Sequence, residues 1–84
     1  MEKNVRLSML IETYGKLLTE KQLDMLHDYY NNDLSLSEIG ENEGITRQAV
    51  RDAIKKAENK LYEYEEKVGF MQYKLETGGF ENGV

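Results

Sequence analysis

Apolar residues recur at steps of three and four along nearly the whole chain, and no proline interrupts them. That spacing lines one face of an α-helix, and proline is the residue that breaks helices most strongly. The sequence therefore predicts an all-α protein of four to five helices. Leu7, Leu10, Ile11, Tyr14, Leu17 and Leu18 define the first, with Val5 and Met9 on a neighbouring face and Gly15 near its end. Thr19 and Gln22 form a capping box that opens the second. Leu23, Leu26 and Tyr30 are its buried face, and Asn31, Asn32 and Asp33 turn the chain.

Eighty-four residues suffice for one small domain with a thin core. We expect that domain over residues 1–76 and a flexible, glycine-rich tail over 77–84. There is no cysteine and one histidine, His27, so the sequence offers neither a disulfide framework nor a thiolate or histidine metal site. No cofactor is expected. The start of the chain does not read as a targeting signal, and no stretch approaches the roughly 20 apolar residues of a membrane span. The expected location is the cytoplasm, with no membrane partner. A net charge of −5 disfavours generic binding to nucleic acid, so any such binding requires a local basic patch.

The segment from Leu36 to about Ile54 carries the functional signal. Ser35 and Glu38 form a second capping box opening a short helix, roughly Leu36 to Glu43. Gly44 supplies the positive φ of a tight turn, Ile45 follows as an apolar residue expected to be buried, and Thr46 caps a long fourth helix. A short helix, a glycine turn and a second helix make a helix-turn-helix, expected from Leu36 to about Glu65. Two helices crossing closely need a small residue in the first, and Gly40 fills that place. Glu43 dissents, because it stands where an apolar residue is usual.

In such a motif the start of the second helix enters the DNA major groove. Thr46, Arg47, Gln48, Arg51 and Lys55 are the candidate nucleic-acid contacts, with Asp52 among them and Lys56 behind. Arginine reads guanine bidentately and glutamine reads adenine, whereas lysine and threonine more often hold phosphates. From Thr46 to Lys60 five basic residues face two acidic ones, a net charge of +3 within an acidic chain. The plainer reading of the same residues is a solvated helix face, and Glu38, Glu41, Glu43 and Asp52 oppose tight DNA binding.

Other features read more simply as structure. A lone His27 lacks partners for catalysis. Glu20, Asp24 and Asp28 recur at steps of four, which usually faces water, and a cation site needs more oxygen ligands. Tyr29, Tyr30, Tyr62 and Tyr64 have the chemistry to stack on unpaired bases, but their spacing suits packing. No phosphate loop, nucleophile elbow or paired-carboxylate motif is present, so an enzyme is not expected.

Val50, Ile54, Ala57, Leu61, Tyr64, Val68, Met71 and Leu75 form a heptad seam. Its distal part, Leu61, Tyr64, Val68 and Met71, extends beyond a small domain and predicts a two-fold homodimer joined there, with the Val5/Met9 side of the first helix adjoining. The alternative is that the chain folds back at Gly69, so that Phe70 and Met71 cover the domain.

Leu18 to Tyr30, Leu34-Ser-Leu-Ser-Glu-Ile-Gly40 and Gly44-Ile-Thr-Arg-Gln-Ala-Val50 resemble region 4 of bacterial sigma-70 factors. The order of elements from Met1 to Leu75 is more closely similar to the YlxM family of small helix-turn-helix proteins. Thr46 to Val50, Tyr62-Glu-Tyr-Glu-Glu-Lys67, Met1-Glu-Lys3 and Tyr14-Gly-Lys-Leu-Leu-Thr19 carry that similarity. The resemblance implies a non-enzymatic regulatory protein linked to the signal recognition particle pathway, with Arg47, Gln48 and Arg51 at the DNA. Its partners would be duplex DNA or, alternatively, signal recognition particle protein or RNA, with the helix-turn-helix as scaffold only. The chain departs from the family pattern at Glu43, usually leucine, at Gly40, usually alanine, and in lacking a charged helical extension after Thr77.

Overall fold

The computed structural model describes residues 3–78, and all regular structure within them is helical. Helix α1 spans Lys3–Tyr14, and a short 3-10 turn follows at Gly15–Leu17. Helices α2 (Glu20–Tyr30), α3 (Leu36–Glu43), α4 (Arg47–Val68) and α5 (Phe70–Thr77) complete the order. Both capping boxes form. The Thr19 hydroxyl accepts from the Gln22 N–H at 3.1 Å and the Gln22 side chain accepts from the Thr19 N–H at 3.0 Å. Ser35 and Glu38 repeat the arrangement at 3.1 and 2.9 Å. Each box satisfies two N–H groups that a helix start leaves without a partner.

Helix α4 is the spine, packing against α1, α2 and α3, while α5 folds back onto α1 and α4. The core gathers Leu7, Met9, Leu10 and Tyr14 of α1, Met25 and Leu26 of α2 and Ile39 of α3. These meet Val50, Ile54, Ala57 and Leu61 of α4 and Met71 of α5. Each fully buried aliphatic side chain contributes about 1.5–3 kcal/mol relative to exposure, which is how a small chain holds five helices together.

Five sequence expectations change here. The seam does not run on as one projecting helix. Gly69 adopts a left-handed conformation, φ 69°, which ends α4 and reverses the chain into α5. Leu61 and Met71 are consequently fully buried within the chain, and Tyr64 packs against Tyr14 with ring centroids 6.0 Å apart. Of the four residues assigned to a dimer seam, only Val68 remains exposed. Met9 is buried rather than on an open side, while Leu17 is 61% exposed because the 3-10 turn rotates it off the α1 face. Ile45, in the turn between α3 and α4, is also exposed rather than buried. Residues 79–84, most of the expected tail, lie outside the described residues. Thr77, where that tail was expected to begin, is the last residue of α5.

Among the described residues no helix is long and apolar enough to cross a membrane.

Candidate nucleic-acid interface

The geometry of the α3–α4 turn follows from two glycines. Gly40 is buried in α3, and a Cβ there would stand 2.7 Å from the Ile45 carbonyl oxygen. A Cβ there would require this backbone to shift, and its absence lets the turn fold tightly over α3. Gly44, at φ 71°, takes the left-handed conformation that residues with a Cβ adopt at a cost. The Ile45 N–H then bonds back to the Gly40 carbonyl at 3.0 Å. Glu43 turns toward α2, where the Lys21 ammonium meets its carboxylate at 2.8 Å. An ion pair at the edge of the motif replaces the apolar contact expected there. Because Lys21 is well exposed, that pair adds little stability.

Thr46 caps α4, its hydroxyl accepting from the Ala49 N–H at 3.1 Å. The five expected contact residues, Thr46, Arg47, Gln48, Arg51 and Lys55, are all exposed and share the first turns of α4. Their engagement differs. Gln48 donates from its amide to the Asp52 carboxylate at 3.0 Å, so its amide is held along the helix surface. Arg47, Arg51, Lys55 and also Lys56 make no ion pair or hydrogen bond among the described residues. Elsewhere Lys21 and Lys67 are paired with Glu43 and Glu63.

This stripe works against the helix that carries it. Arg47, Arg51 and Lys55 are spaced by four, so neighbours repel by roughly 0.2–0.5 kcal/mol per pair. Arg47 also sits at the positive end of the helix dipole, and the first turn of α4 holds no acid. An anion placed there would relieve both terms. Phosphate is the anion that helix-turn-helix proteins meet at this point.

Behind the stripe is Glu58, a residue the sequence reading counted only as charge. It is nine-tenths buried on α4, and its carboxylate accepts from the Tyr30 hydroxyl. Burial, reinforced by Glu58, pushes the Tyr30 hydroxyl well above its ordinary pKa, so it remains a proton donor. Its one sequence signal was position: Glu58 follows Ala57 on the apolar side of α4, where an acid needs a partner.

A buried-glycine turn, a hydroxyl-capped second helix and an open basic stripe on that helix define a helix-turn-helix protein. The family model for UPF0122, described as "Putative helix-turn-helix protein, YlxM / p13 like", matches residues 1–78. A UPF0122 protein of Clostridium kluyveri is 51% identical over 84 residues, covering 100% of this chain and 76% of the relative. One from Malacoplasma penetrans is 53% identical over 66 residues, 79% of this chain and 62% of the relative. One from Fusobacterium nucleatum is 46% identical over 74 residues, 88% and 72% of the respective chains. The chain belongs to the UPF0122 family. The family's description names no enzymatic activity.

Proposed function

We propose that this chain is a non-enzymatic regulatory protein that binds duplex DNA through the start of α4. The supporting observation is the unpaired stripe of Arg47, Arg51, Lys55 and Lys56 on an exposed helix start. In this reading Arg47 and Arg51 reach base edges, Thr46 and Lys55 hold phosphates, and Gln48 reads a base only after leaving Asp52. Likeness to YlxM proteins supports a place in the signal recognition particle pathway. A homodimer, the usual means by which such motifs read two half-sites, would join through Val68, Phe70 and Tyr73, which stay exposed at the α4–α5 corner. Sedimentation equilibrium checks this, and a monomer at high micromolar concentration removes it.

One observation favours a second reading. The net charge of −5, with Glu38 and Glu41 beside the motif, weakens attraction to duplex DNA. On that reading the chain is an accessory factor for signal recognition particle protein or RNA, and the motif is scaffold. Arg51→Glu separates the two in fluorescence anisotropy. Loss of duplex binding at low salt supports the first reading. Unchanged duplex binding with loss of particle RNA or GTPase binding supports the second.

A further inference from the structure

A cleft of about 210 Å³ opens beside the basic stripe, between α2 and the start of α3 on one side and α4 on the other. Its chemistry is graded from inside to mouth. Inside is Glu58, whose carboxylate takes one hydrogen bond from Tyr30 and is paired with no cation among the described residues. Along the sides are Leu36, Ile54 and the rings of Tyr29 and Tyr30. Those rings meet edge to face, centroids 5.0 Å apart at 85°. At the mouth are Arg51 and Lys55, exposed and unpaired.

No buried side-chain polar atom among the described residues lacks a hydrogen-bond partner, so the Glu58 oxygen that Tyr30 does not engage is open to the cleft. An ionised carboxylate accepts and never donates. A group that complements this lining carries adjacent N–H donors at one end, a flat apolar body and an anion at the other end. Guanine offers N1–H and its exocyclic amine side by side, and its phosphate would reach the two cations. Adenine presents an amine beside an unprotonated ring nitrogen, whose lone pair would face the carboxylate. The volume is below the roughly 300–1,000 Å³ of pockets for larger ligands, which suits a single base.

We propose that this cleft binds a guanine nucleotide, either free or as one unpaired residue of a single strand. Tyr29 stacks on the base, Glu58 accepts from its donor edge, and Arg51 and Lys55 hold its phosphate. The site shares Arg51 and Lys55 with the duplex reading, whereas Tyr29, Tyr30 and Glu58 take no part in that reading. Failure of duplex binding therefore leaves it standing.

The test is a titration of the full chain followed by amide NMR, with GMP, AMP, inorganic phosphate, and single-stranded pentanucleotides holding one central G or one central A. We expect GMP or the G-containing strand to shift the amides of Tyr29, Tyr30, Ile54 and Glu58 and to bind at least tenfold more tightly than its adenine counterpart. Response to GMP identifies a free nucleotide as a ligand, and response to the strand alone identifies a strand-borne base. Tyr29→Ala should weaken binding at least fivefold and leave duplex binding unchanged. Glu58→Gln, which keeps an acceptor for Tyr30, should abolish the preference for guanine. Equal binding of guanine and adenine ligands, phosphate binding as tight as GMP, or silence of both guanine probes would overturn the proposal.

Discussion

Two left-handed glycines close two turns of this molecule and leave opposite ends behind them. Gly44 and Gly69 have φ values of 71° and 69°, and nothing crowds either position. After Gly44, helix α4 begins with only its own Thr46 as a cap and with unpaired cations around it. After Gly69, helix α5 begins with no side-chain cap of its own, and Glu65 from the end of α4 together with the distant Tyr14 supplies one. The Glu65 carboxylate accepts from the Met71 and Gln72 N–H groups at 3.1 and 3.0 Å. Tyr14 donates its hydroxyl to Glu65 at 2.6 Å and accepts from the Phe70 N–H at 3.0 Å. The protein thus supplies its own anion at one helix start and withholds it at the other. The same backbone device therefore serves closure in one place and an open helix start beside unpaired cations in the other.

Removing the internal anion should have the largest effect. Glu65→Ala deprives α5 of two charge-assisted bonds and leaves the buried Tyr14 hydroxyl without its acceptor, for a loss of about 3 kcal/mol. Hydrogen exchange should show α5 losing protection while α3 and the start of α4 keep theirs. A uniform loss across the chain would break the distinction. Gly40→Ala comes next, because its Cβ would lie 2.7 Å from the Ile45 oxygen and must push backbone aside. Urea unfolding should register about 1–3 kcal/mol, with the displaced turn visible as shifts at Gly44–Thr46.

Gly44→Ala and Gly69→Ala sharpen the comparison because their steric situations match. Each should cost about 1–2 kcal/mol from the left-handed backbone alone, and a large difference in urea midpoints would mean the two turns are not equivalent. Arg51→Ala should change stability by less than about 0.5 kcal/mol, and in the stabilising direction, since it relieves repulsion along the stripe. A clear loss of stability would assign Arg51 to the fold rather than to a partner.

The last expected effects follow pH and vanish near neutrality. The capping-box bonds of Glu38, to the Ser35 backbone first and then its side chain, lower that carboxyl's pKa in the folded state. Its contribution is therefore complete above the ordinary glutamate value of about 4.3 and disappears as pH falls through the lower folded value. Tyr14 and Tyr30 are shifted upward, both by burial first and then by their glutamate partners. Their contribution is complete below the ordinary tyrosine value of about 10 and is lost as pH rises through the folded values. Tyr30→Phe should flatten the alkaline limb of a stability profile and leave the acid limb unchanged, as thermal melts across pH would record.

Much of this was legible in the sequence because it is local. The capping boxes at Thr19 and Ser35, the Thr46 cap and the bounds of α3 each depend on residues three or four apart. Gly40 and Gly44 were legible because a close helix crossing and a tight turn leave few other choices. The break at Gly69 was harder to settle, since Val68, Met71 and Leu75 continue the apolar register whether or not the helix does. The missing cap was the available signal: a helix starting at Phe70 behind a glycine needs an acceptor from elsewhere. That acceptor and Tyr14 are 51 residues apart, a proximity that periodicity along one helix does not contain. The Glu58–Tyr30 contact was hidden for the same reason, spanning 28 residues.

The candidate interface was legible as a set of residues but not as a state of engagement. That Gln48 is tied to Asp52 while Arg47, Arg51 and Lys55 are unpaired emerges only when every neighbour is in place.

The most direct test of the difference between the two helix starts is an amide NMR titration of the full chain with mixed duplex DNA at low salt. The account predicts shifts concentrated in Thr46–Lys56 that fade as salt is raised, with Glu65–Gln72 silent. No shifts at low salt, or shifts centred on Glu65–Gln72, would contradict it.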